Sequence, residues 1–95
     1  MNTTLYSTGP ACMKCRMTKK NMEGKGIVPD YVLLTDPAFV FPADVQPIFD
    51  QISAEKGGAP IVVVRDESGQ IIDWWNDFRP DKITALAAQL SAVAA

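Results

Sequence analysis

The chain has 95 residues, of which 47% are hydrophobic and 21% charged; this suits one folded domain over residues 1–95 and excludes a disordered chain. The net charge of −2 excludes a protein that holds nucleic acid electrostatically, and no segment approaches the roughly 20 apolar residues that cross a bilayer. Histidine is absent and cysteine occurs twice, which excludes Ser-His-Asp and Cys-His hydrolases and leaves too few soft ligands for a closed zinc site.

Thr3 to Ser7 is short and rich in β-formers, which predicts a first strand ending at Thr8-Gly9-Pro10. From Cys12 to about Met22 nothing breaks a helix, and Glu23-Gly24-Lys25-Gly26 supplies its stop. Tyr31 to Leu34 is an apolar run that predicts a second strand in a sheet covered on both faces. Strand, helix and strand in so short a span make a βαβ unit with parallel strands. Thr35 to Pro47 carries Pro37, Pro42 and Pro47, so most of it is loop. A second helix runs from about Asp44 or Pro47 to Lys56, with Ile48, Phe49 and Ile52 on its apolar face. Ile61 to Val64 is continuous enough to be a central strand. Asp66 to Gly69 then turns the chain into Gln70 to Trp75, antiparallel to it. The last helix opens at Arg79-Pro80-Asp81 and buries Ile83, Leu86, Ala87, Leu90 and Val93 at helical spacing. The order is β-α-β-α-β-β-α.

Chemistry concentrates at Cys12 and Cys15. Three residues apart on a helix, they share one face at a Cα separation of about 5 Å, which a disulfide can bridge. A bridge closed within one turn constrains little of the unfolded chain, so its worth as a staple is small. Cys12 lies where a strand meets a helix N-terminus, and unpaired N–H groups and the positive dipole end there favour a thiolate. Cys12 therefore reads as the nucleophile and Cys15 as the resolving thiol; the plain alternative is a pair of incidental buried cysteines.

Ala59-Pro60 precedes the central strand. Proline there is either a simple strand opener or a cis residue packed against the cysteine pair, where bent backbone can hold an extended partner. Residues 11–26 carry Lys14, Arg16, Lys19, Lys20 and Lys25 against Glu23 alone. That is a solvated face, or a basic collar that favours the thiolate and steers an acidic partner segment. Trp74 and Trp75 must face opposite sides of a strand, so one is core and the other is a candidate partner contact.

Cys12-Met13-Lys14-Cys15, Ala59-Pro60-Ile61-Val62-Val63 and Trp75-Asn76-Asp77-Phe78-Arg79-Pro80-Asp81-Lys82-Ile83 together resemble the NrdH-redoxins, glutaredoxin-like proteins that behave as thioredoxins. The last segment is the most specific, with Asp77 where the family has glycine. The resemblance implies an α/β thioredoxin fold, a four-stranded mixed sheet flanked by three helices, with Pro60 cis. It implies that Cys12 attacks, Cys15 resolves, and Met13, Lys14, Ala59, Pro60 and Trp75 meet the partner. Trp75 is then exposed near the cysteines and Trp74 packed. Phe78, Arg79 and Asp81 tie the last helix to the loop before it. The implied partners are thioredoxin reductase as electron source and class Ib ribonucleotide reductase as acceptor, with no bound cofactor or metal. The proline-rich loop, with Phe39 and Phe41, is a place where partner choice could differ.

The expectation is thus a monomeric cytoplasmic dithiol electron carrier, since Met1-Asn2-Thr3-Thr4 lacks the pattern of a secretory signal. Its rivals are a glutathione-dependent glutaredoxin, a non-catalytic redox switch on the same fold, and a dimer bridging an iron–sulfur cluster.

Overall fold

The computed structural model describes residues 2–94, with side-chain surroundings for residues 2–90. Seven elements follow one another: β1 (Asn2–Ser7), α1 (Met13–Gly24), β2 (Asp30–Leu33), α2 (Gln46–Ala54), β3 (Ile61–Arg65), β4 (Ile71–Asn76) and α3 (Pro80–Ala94). The strands form one sheet in the order β2-β1-β3-β4. β1 runs parallel to β2 and antiparallel to β3, and β3 is antiparallel to β4. This is the mixed four-stranded sheet with three helices expected from the sequence.

Strand alternation divides the apolar residues between two faces. Leu5, Val62 and Trp75 lie side by side across β1, β3 and β4. With Val64 they pack against Met22 of α1 and Ile83 and Leu86 of α3, while Phe78, Ala87 and Leu90 close the margin. Tyr6, Ile61 and Val63 point the other way, onto Val45 and the Ile48 and Ile52 face of α2. Val93 lies outside the residues whose side chains are described.

The segment between β2 and α2 is loop, but its aromatic side chains turn inward. Phe39 and Phe41 pack against the second core, with ring centroids 5.9 and 5.6 Å from Tyr6. Phe41 stacks on Phe49 of α2 at 4.6 Å. Beside them, Asp44 and Arg65 form a two-pronged ion pair that fastens the entry of α2 to the end of β3. These rings are therefore framework and are not spread on the surface for a partner.

Two expectations change. The Tyr31–Leu34 run is not itself covered on both faces, although its sheet is: among the described residues β2 is an edge strand paired with β1 alone, and Tyr31 and Leu33 are 39% and 40% exposed. An apolar run gives no sign of whether a strand has one neighbour or two. The second correction concerns Trp75, expected exposed with Trp74 packed. Trp75 is 3% exposed at the centre of the first core, and Trp74 is the half-buried one, against the second. The two rings do face opposite sides of the strand, but the better-covered face is that of Trp75. α3, at 15 residues, spans the Trp75 side, whereas α2, at nine, leaves the Trp74 side partly open.

Candidate active site

The strand registers bring four chain segments to one end of the sheet. Ser7 aligns with Leu33, Tyr6 with Ile61, and Ile61 with Asn76. Residues 8–12 leave β1 there, residues 57–60 arrive before β3, and Asp77 follows β4. The first βα connection thus meets Pro60 and the β4–α3 turn in space, although more than 40 residues separate them in sequence.

Cys12 and Cys15 are joined as a disulfide, with Cα atoms 5.2 Å apart. Helix α1 begins at Met13, one residue later than the sequence suggests, because Cys12 is itself the N-cap in extended conformation. A turn positions it: the Cys12 N–H donates to the Gly9 carbonyl at 3.0 Å. Gly9 has φ of +126°, a backbone region few other residues enter without strain. The Cys15 N–H then donates to Cys12 Sγ at 3.2 Å, so sulfur fills the place that a serine or aspartate oxygen takes at an ordinary helix start. That bond strengthens when the sulfur carries negative charge, which favours the thiolate. Accessibility separates the two thiols: Cys12 is half-buried and Cys15 is fully buried.

Ala59–Pro60 is a cis peptide bond, and Pro60 is buried. Its carbonyl accepts the Asp77 N–H at 2.9 Å, joining the segment before β3 to the turn after β4. Asn76 Nδ2 reinforces the junction by donating to the Gly58 carbonyl at 3.4 Å. A Cβ at Gly57 would come within 2.7 Å of that same Asn76 nitrogen, so a larger residue there would displace the amide. Beneath the first loop, the buried Ser7 hydroxyl accepts from the Gly9 N–H at 3.0 Å and from the Tyr31 hydroxyl at 2.8 Å.

The remaining predicted residues distribute as follows. Met13 is 61% exposed, next to Cys12. Lys14 is also exposed, and its ammonium lies 2.9 Å from the Asp77 carboxylate. Arg79 and Asp81 form a two-bond pair at 3.0 and 2.8 Å at the start of α3, and the Arg79 carbonyl accepts the Lys82 and Ile83 N–H groups. Phe78 packs on the first core. These three occupy the joint between turn and helix. Trp75 does not belong with the partner-facing residues, because so buried a ring has almost no surface to offer.

Asp77, which stands where the family has glycine, has contacts that the sequence does not announce. It has φ of +73°, a left-handed conformation that aspartate tolerates better than most residues. Its carboxylate accepts the Phe78 N–H at 2.7 Å as well as the Lys14 contact. Lys14 foremost, then the Phe78 amide, holds this carboxyl below the usual carboxylate range. The Asn-Asp pair at the end of β4 is the turn signal that marks the place. Among the described residues no group of three or more His, Cys, Asp or Glu side chains is arranged to hold a metal ion, and no helix is long and apolar enough to cross a membrane.

No protein-family model matches the chain, and no curated protein sequence does. Among solved structures it is similar to NrdH-redoxin from Escherichia coli, described as a glutaredoxin-like protein with a thioredoxin-like activity profile. The two share 26% sequence identity at a TM-score of 0.57, over 90% of this chain and 95% of that one. A bridged CxxC pair at a helix N-terminus, on this fold and with this likeness, supports a thiol–disulfide oxidoreductase.

Proposed function

From the premise of an NrdH-like, glutaredoxin-like chain with a Cys12–Cys15 disulfide, we propose that this protein carries electrons to protein disulfides through that pair. Its proposed source of electrons is thioredoxin reductase and its proposed acceptor a class Ib ribonucleotide reductase. The observation that carries the reading is the asymmetry of the pair: Cys12 is accessible and capped by the Cys15 N–H, while Cys15 is fully buried. In the reduced protein the Cys12 thiolate attacks one sulfur of the partner's disulfide. The other partner sulfur leaves as a thiolate and takes up a proton. Cys15 then loses its proton and attacks Cys12, releasing the second partner thiol. Two electrons and two protons have moved from dithiol to partner, and Cys12–Cys15 is oxidised.

The thioredoxin-like activity of the solved relative, together with the Trp75–Ile83 segment, supports thioredoxin reductase over glutathione as the reductant. The protein is proposed to act as a single-domain monomer in the cytoplasm, with no bound cofactor. A coupled assay following NADPH oxidation tests the reductant. Thioredoxin reductase should sustain disulfide reduction far faster than glutathione with glutathione reductase. Equal rates at physiological concentrations of the two reductants would make the protein a glutaredoxin instead.

A further inference from the structure

The sheet end that carries the dithiol is bordered by several charged residues. Lys14 and Arg16 come from α1, Asp36 from the segment after β2, Glu55 and Lys56 from the end of α2, and Asp77 and Arg79 from the β4–α3 turn. Most are already committed elsewhere or lie apart. Arg79 is engaged by Asp81, and Asp36 accepts the Ala38 N–H within its own turn. Among the described ion pairs, Lys14–Asp77 alone links α1 to the turn after β4. Lys14 is one of the two residues between the cysteines, so its backbone lies in the first turn of α1, the turn that Cys12 caps.

Asp77 is held there from both sides. Its N–H is bonded to the Pro60 carbonyl and its carboxylate to the Phe78 N–H. The carboxylate therefore stays put while the long lysine side chain comes to it. An ammonium drawn 2.9 Å from a fixed carboxylate presents a nearly cancelled charge to the sulfur, where a free ammonium would present a whole one.

We propose that Asp77 is a positioning residue that sets the redox poise of the dithiol by holding and neutralising Lys14. This rests on the reading of Cys12 as the attacking thiolate, and concerns how strong a reductant that thiolate is. A thiolate stabilised by nearby positive charge stabilises the reduced protein and makes it a weaker electron donor. By restraining Lys14, Asp77 keeps the protein a stronger donor. The pair is half exposed, with side-chain accessibilities of 59% and 51%, so solvent limits the effect to a few-fold.

The opposed signs of the two partners make the test. In Asp77→Asn the side chain keeps its acceptor oxygen and its tolerance of positive φ but loses its charge, so Lys14 is released. The Cys12 pKa, followed by thiolate absorbance in the ultraviolet and by the pH dependence of alkylation, should fall. The Cys12 ionisation constant should rise about threefold and the reduction potential become less negative, by about 14 mV where the reduced protein is mainly thiolate, since that is a threefold change in the exchange equilibrium. Lys14→Gln leaves the carboxylate uncompensated and should shift both readouts the opposite way. The double variant should return close to the unmodified protein. A purely structural role for Asp77 would move neither the thiolate titration nor the potential while the fold is intact by circular dichroism. Single variants that titrate together with the unmodified protein, or that shift in the same direction, would overturn the proposal. Loss of disulfide reduction by the unmodified protein itself would instead overturn the functional reading, so the two failures are distinguishable.

Discussion

Replacing Trp75 by alanine should be among the most destabilising single changes available in this chain. The ring is 3% exposed and surrounded by Leu5, Met22, Val62, Ile83 and Leu86. An indole buries about 200 Å² of surface, worth about 5 kcal/mol at about 25 cal/mol per Å². One feature reduces this figure: the indole N–H is buried without a hydrogen-bond partner, and removing an unpaired donor recovers about 1 kcal/mol. The Lys82 ammonium, 5.5 Å from the ring centroid, works the other way and adds a few tenths. The net expectation is about 4 kcal/mol, a large part of the 5–14 kcal/mol expected for a domain of about this size. Trp75→Phe should cost far less, about 1 kcal/mol, since it keeps most of the apolar area and deletes the orphaned donor. Trp74→Ala, at a half-buried site, should cost about 1–2 kcal/mol. Equilibrium unfolding in urea measures all three, with unchanged slope as the sign that stability alone has moved. If Trp74→Ala proves costlier than Trp75→Ala, the assignment of the two rings to their faces is wrong.

Two further outcomes follow from the site and its ion pairs. Cys15→Ser should still attack a partner disulfide and accumulate as a mixed disulfide through Cys12, whereas Cys12→Ser should neither turn over nor trap; an adduct on Cys15 in the latter, seen by mass spectrometry, would reverse the roles. Asp44, Asp66, Asp77 and Asp81 all have carboxyl pKa values lowered in the fold, by hydrogen bonds to Arg65, Ser68, Lys14 and Arg79 respectively. A carboxyl whose folded pKa lies below its unfolded value contributes stability above the unfolded value and loses it as pH falls through the folded one. Thermal stability should therefore hold on the neutral side and decline below the ordinary value of 3.8. A melting temperature that rises on acidification through that range would contradict these pairings.

Much of this architecture was legible because each element carries a local reason to form. The Ile61–Val64 run, the Ser68-Gly69 turn and the Arg79-Pro80-Asp81 helix start each specify themselves within a few residues. The dithiol was legible for the same reason, since its spacing and its place at a helix start are both local. What could not be read were facts about neighbours. The parity that puts Trp74 and Trp75 on opposite faces is in the sequence, but which helix lies over which face depends on packing across the whole sheet. The edge position of β2 depends likewise on β3 claiming the far side of β1. The role of Asp77 was not legible because its partner, Lys14, lies far earlier in the sequence, and a lone aspartate after a strand looks like ordinary turn chemistry.

The loop between β2 and α2 is where sequence drift would ordinarily be tolerated, and here that tolerance is curtailed. Phe39 and Phe41 complete an aromatic layer with Tyr6 and Phe49, so the loop is bound to a central strand and to a helix at once. Deleting a few residues from it would uncover Tyr6 and strand Phe49, whatever the effect on the loop itself. The four aromatic positions therefore share one fate: a descendant of this chain that shortens the segment must also replace the rings at positions 6 and 49. Changes that would be neutral in an ordinary connection arrive here only in company.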